Sequence, residues 1–112
     1  MIHIYLDDWR RRPDGFVLAR NMDECLELLQ SDEVDILSLD HDLGPGEPTG
    51  TELVQEMIRR GLYAKRIYLH TSSALGRQRM YQLLYEHKPE GVALFNGPMP
   101  IAVLEEVKRE AQ

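Results

Sequence analysis

Five short apolar stretches punctuate the chain: Ile2 to Leu6, Phe16 to Ala19, Val34 to Leu39, Arg66 to His70 and Gly91 to Phe95. Each is too short for a helix and is bounded by turn-forming or polar residues, so each reads as a strand. Between the later ones the apolar spacing changes to threes and fours, the period of a helix. Asn21 is placed as an N-cap with Glu24 three residues on, ahead of Met22, Cys25, Leu26 and Leu29. Thr49 or Thr51 caps a second helix carrying Leu53, Val54, Met57 and Ile58, which stops at Gly61. A third covers about Leu75 to His87 with Met80, Leu83 and Leu84 inward, and a last one starts near Ile101 after Pro98 and Pro100. No repeat or low-complexity tract interrupts this order.

Strands alternating with helices of this length define βαβ units, hence a mostly parallel sheet with helices on both faces. Five strands predict a flavodoxin-like three-layer sandwich of strand order 2-1-3-4-5, a single domain over residues 1–112. One element departs from the pattern. Only about nine residues separate the first two strands, and Pro13-Asp14-Gly15 among them reads as a turn. A parallel crossover normally takes about a dozen residues or more. Either the second strand pairs antiparallel or the first crossover helix is shortened or absent; we favour the second.

Charge narrows the choice of ligand. Nineteen acids against thirteen bases give a net charge of −6, which excludes a broad, sequence-independent nucleic-acid surface. Ten of the thirteen bases are Arg, three of them consecutive at Arg10, Arg11 and Arg12, a skew compatible with gripping one small phosphate. The single cysteine, Cys25, excludes an internal disulfide and reads as a buried small hydrophobe. No apolar run approaches about 18 residues and no basic leader precedes one, so a membrane span is not expected and the cytoplasm is the expected location.

In open α/β sheets ligands sit beyond the carboxyl ends of the strands, where the strand order reverses. There the first strand ends in Asp7-Asp8, the third in Asp40-His41-Asp42 and the fourth in His70-Thr71-Ser72. Carboxylates about 5 Å apart at an effective dielectric near 20 cost roughly 3 kcal/mol per pair. Such a cluster must hold protons, pair with Arg or bind a cation, and oxygen ligands without a thiolate favour Mg²⁺ or Mn²⁺. His41 and His70 are the acid–base candidates; His3 and His87 read as structural or exposed. Thr71 to Arg79 combines hydroxyls, a helix start and Arg77, an anion site in outline. Arg10, directly after the Asp pair, either reaches the same anion or pairs with Asp7 or Asp8. The loop from Leu43 to Gly50 is rich in Gly and Pro but lacks the Gly-Lys-Ser/Thr of a phosphate-binding P-loop.

The Asp pair, Asp40 and the hydroxyls after the fourth strand are similar to those of response-regulator receiver domains. A receiver has a lysine after its fifth strand, where this chain has Asn96. More specific are Leu6-Asp7-Asp8-x-Arg10 with Pro13-x-Gly15, then Ser38-Leu39-Asp40-His41-Asp42-Leu43-Gly44, Thr49-Gly50, His70-Thr71, Gly76-Arg77 and Arg79-Met80. This set resembles the cyclic-phosphate-processing receiver-like domains from about Ile2 to Tyr85. Ser73-Ala74 stands where that family often has Asn-Pro. The resemblance implies a metal-dependent phosphoesterase-type domain acting on cyclic phosphates of nucleotides or RNA ends, in the setting of RNA repair. Asp8 and Asp40 would then hold the metal with Asp7 and Asp42 assisting, His41 or His70 would handle the proton, and Arg10, Thr71, Ser72 and Arg77 would bind phosphate. The expected partner is a small phosphorylated ligand or an RNA terminus. The alternatives are a receiver-like signalling module with Asp40 as phosphoryl acceptor, or a binding relic with neither chemistry.

Overall fold

The computed structural model describes residues 1–112. Five strands, β1 (Ile2–Leu6), β2 (Val17–Ala19), β3 (Val34–Leu39), β4 (Arg66–Leu69) and β5 (Ala93–Leu94), form one sheet of order β2-β1-β3-β4-β5. Every adjacent pair is parallel, so β2 runs with β1 despite the short connection. The helices are α1 (Met22–Ser31), α2 (Gly50–Arg60), α3 (Ala74–His87) and α4 (Ile101–Glu110). The fold is receiver-like and flavodoxin-like, with no helix between β1 and β2. Three strands are shorter than their apolar runs. β2 starts at Val17, β4 ends at Leu69 ahead of His70, and β5 shrinks to two residues as the following chain turns back so that Gly97 accepts from the Leu69 amide at 2.9 Å.

Local chemistry sets the helix boundaries. The Asn21 side chain accepts from the Glu24 amide and starts α1. Thr49, not Thr51, caps α2 through the Glu52 amide, and Gly61 ends it in the left-handed region. Thr51 is instead buried inside the first turn, with its hydroxyl committed elsewhere.

Alternation along the strands divides the core in two. Ile4 and Leu6, Leu37 and Leu39, and Ile67 and Leu69 face α1, α2 and α3 in the larger cluster, where Cys25 is fully buried. Burial pushes the Cys25 thiol up to about 12, which makes it inert as a nucleophile. Tyr5, Ile36 and Tyr68 face the other way, against Val107 of α4. Arg66 ties β3 and β4 to that helix, pairing with Asp35 and Glu106 at 3.0 Å each.

With no first crossover helix, α4 is the sole helix on its face, and the β1–β2 loop covers the rest. Phe16 plugs the gap, buried beside Tyr5 and Val107. Gly15 lets the loop approach α4: its φ is +89°, and a Cβ there would lie 2.7 Å from Val107 Cγ1. Gly15→Ala should therefore cost about 1–3 kcal/mol, read as a lower urea midpoint. Gly46→Ala, at φ +77° with open space around it, should show backbone strain alone, about 1 kcal/mol. Equal midpoints for the two variants would show that the loop does not dock on α4.

Candidate functional site

The register explains why three distant residues meet. Tyr5 pairs with Ser38, and Ser38 with Tyr68, making one row across β1, β3 and β4. Two residues further along each strand, on the same face, come Asp7, Asp40 and His70. The backbone continues the ladder past the strand ends, Asp40 N donating to Leu6 O and His70 N to Leu39 O. Asp7 is 1% exposed and Asp40 6%. One ligand atom from each of Asp7, Asp40 and His70 lies within 4.8 Å of the others, so the three residues could hold a metal ion.

Each member is held in place. Asp7 Oδ1 accepts from the amides of Trp9 (2.9 Å) and Arg10 (2.8 Å), while Oδ2 accepts from Arg10 Nη1 (3.0 Å) and His70 Nε2 (3.0 Å). Asp40 Oδ1 accepts from the His41 amide at 2.8 Å, and Oδ2 takes the same Arg10 Nη1 at 3.2 Å. Arg10 thus bridges the two buried carboxylates with one nitrogen and relieves their repulsion. Burial drives the Asp7 carboxyl up, but the two amides, the guanidinium and His70 outweigh it and hold Asp7 below its ordinary value. Burial is also the largest effect on His70, and it prevails over the nearby carboxylates to keep the ring below its ordinary value. The ring stacks on Tyr5, centroids 4.2 Å apart and planes within 5°, and its Nδ1 meets Ser38 Oγ at 2.6 Å. An ionised carboxylate only accepts, so the proton of the neutral ring sits on Nε2 and Ser38 donates to Nδ1.

The other residues singled out in the sequence separate around this group. Asp8 and Asp42 do not join it and remain exposed. Both lie beyond the strand ends, Asp8 in the bend after β1 with its Oδ2 beside Gly44, and Asp42 in the loop after β3. His41 also turns from its neighbour. Its Nδ1 meets Thr51 Oγ1 at 3.0 Å, and the ring packs at Gly76 of α3, where any Cβ would overlap it. Thr71 Oγ1 accepts from the Ser73 amide at 3.1 Å, which leaves its hydroxyl proton free, and Ser72 is exposed. Arg77 reaches Asn96 O at 3.3 Å and lines a separate cleft of about 460 Å³ with Tyr81 and Tyr85. The sequence motifs include Ser38, and the cap candidates Thr51, but neither they nor Tyr5 carry a role at the site there; Ser38 and Tyr5 hold the His70 ring and Thr51 holds His41. A polar Ser within an otherwise buried strand was a signal for the first.

A parallel sheet in this order with acidic residues at the ends of β1 and β3 defines a receiver-like α/β domain. The crystal structure of the response regulator TrrA from Thermotoga maritima, in complex with Mg²⁺-BeF, is similar to it. The TM-score is 0.58 at 18% sequence identity, covering 100% of both chains. Residues 2–86 match the family model of the cyclic-phosphate processing receiver domain. The chain belongs to that family. No curated protein matches it.

The shift on His70 fixes the sign of a pH effect. A base whose folded value lies below its unfolded one stabilises the fold above the unfolded value and loses that stability on acidification. The loss should start near pH 6.5, the ordinary histidine value, and Asp7 adds a further loss below about 3.8. In chelator-treated protein the thermal midpoint should fall between pH 7 and pH 5. His70→Gln should flatten that slope; an unchanged slope in the variant would assign it to other groups.

Proposed function

We propose that this domain is a divalent-metal-dependent phosphoesterase that opens or hydrolyses a cyclic phosphate on a nucleotide or RNA end. The observation that carries the reading is the buried Asp7–Asp40–His70 group with an arginine across its mouth. The family match supports the substrate class. Two carboxylates and an imidazole suit a divalent ion, and the nitrogen donor favours Mn²⁺ over Mg²⁺. Bound there, the ion would neutralise charge developing on the phosphate oxygens.

The chain's own residues supply the rest. Arg10 spends the two protons of Nη1 on the carboxylates, which leaves Nε and Nη2 three N–H donors for the phosphate. Thr71 and Ser72 offer hydroxyls at the start of α3, and Arg77 lies one turn further on. With His70 committed to Asp7 and Ser38, His41 is the better proton carrier. Its Nδ1 is anchored by Thr51 and its Nε2 is free to take a proton from water or return one to the leaving hydroxyl.

Hydrolysis of adenosine 2′,3′-cyclic phosphate with Mn²⁺, followed by chromatography, tests the reading. Asp40→Ala should lower the rate by about 100-fold or more, and an active variant would end the assignment. The second reading, Asp40 as a phosphoryl acceptor, draws on the fold shared with TrrA. It predicts a phosphoryl mass increment on incubation with acetyl phosphate and Mg²⁺. Asn96 in place of the receiver lysine speaks against it.

A further inference from the structure

The connection that replaces the first crossover helix carries a second feature. Trp9, the chain's single tryptophan, is 90% exposed, more than any other large hydrophobic residue; Ile101 follows at 73%. An indole left in water forgoes the burial that makes aromatic residues the strongest contributors to a core. The core beneath the loop does not need it, because Phe16 already fills that place. Trp9 is nevertheless fixed at its backbone, its amide donating to Asp7 Oδ1 at 2.9 Å. The indole therefore stands one side chain's length from the buried carboxylates, on an anchored stem with no aromatic neighbour. Arg10 and Arg11 follow it; Arg11 is exposed and makes no ion pair.

We infer that Trp9 is a stacking platform for the nucleobase of the substrate. The domain then selects a base-bearing cyclic phosphate over a sugar cyclic phosphate. This rests on the reading of the Asp7–Asp40–His70 group as a cyclic-phosphate site. An exposed indole face beside guanidinium groups matches the two surfaces of a nucleotide: the base stacks, and the phosphate takes charge-assisted hydrogen bonds. The anchored backbone leaves only the two side-chain torsions of Trp9 to be set on binding, so little ordering opposes the contact. The acidic remainder of the chain limits the grip to a terminal nucleotide.

Because Trp9 is the single tryptophan, intrinsic fluorescence reports on this position alone. Adenosine 2′,3′-cyclic phosphate should quench it, and the 2,3-cyclic phosphate of methyl riboside, which lacks a base, should not. By calorimetry, Trp9→Ala should weaken the adenosine ligand about 10-fold and bring the two affinities close together, while Trp9→Phe should keep most of the preference. Absence of quenching, or an unchanged preference in Trp9→Ala, would overturn the inference. Hydrolysis of both compounds, followed in parallel, separates the two readings. Turnover of both without preference would sink the platform and spare the phosphoesterase. Quenching without turnover of either would do the reverse.

Discussion

Two carboxylates buried side by side at the end of a parallel sheet are the constraint around which this molecule is arranged. Asp7 and Asp40 stand on neighbouring strands with almost no access to water. Unrelieved, their repulsion and desolvation would push at least one to take up a proton. Arg10 removes that pressure by placing one nitrogen between the two Oδ2 atoms, and the amides of Trp9, Arg10 and His41 complete the compensation. The tight turn after β1 is therefore an electrostatic device as much as a connection. It returns the chain so that Arg10 faces the strand end it has just left.

That turn exists because the first crossover has no helix. A helix there would have carried the chain away from the sheet's carboxyl edge after Asp8 and covered the α4 face. Instead the loop stays at the edge, where Arg10 bridges and Trp9 projects, before Phe16 packs on Tyr5 and Val107. The absence of a helix between β1 and β2 thus leaves Arg10 and Trp9 at the sheet's carboxyl edge. Its cost is confined to one face, where a smaller cluster joins Phe16 to α4.

Strand-terminal Asp7 and Asp40 were legible because an acidic residue straight after a buried apolar run has few structural reasons to be there, and two runs repeated the pattern. Helix boundaries were legible from caps whose chemistry is local, Asn21 at the start of α1 and Gly61 at the end of α2. Strand order followed from the alternation of strands and helices, but the direction of β2 did not. Spacing alone left an antiparallel return open, and the docking of Phe16 and Gly15 on α4 is a contact across about ninety residues of sequence. Which of four clustered acids point inward was hidden for a similar reason. Asp8 and Asp42 read like their neighbours in composition, and their exposure is set by how the chain turns once it has left β1 and β3. The Ser38–His70 contact depends on the β3–β4 register, which no local pattern encodes.

Lone-pair counting separates the two buried carboxylates further. An ionised carboxyl has about four acceptor sites. Asp7 fills all four, with two amides, Arg10 and His70, so any new ligand at Asp7 must displace one of them. Asp40 takes two donors, the His41 amide and Arg10, and keeps two sites free. Asp7 is thus the keystone that fixes Arg10 and His70, and Asp40 is the carboxylate with capacity to spare. The same count applies to the ring between Ser38 and Asp7. Both its nitrogens are engaged, so His70 gives up its Nε2 proton only when something replaces Asp7 as its partner. Were a cation held by Asp7, Asp40 and His70, Nε2 would be the ring's ligand atom, Nδ1 would carry the proton, and the Ser38 hydroxyl would accept from it. A hydroxyl can donate or accept, so Ser38 suits either ring tautomer, which accounts for a polar residue next to the end of the most buried strand of the sheet.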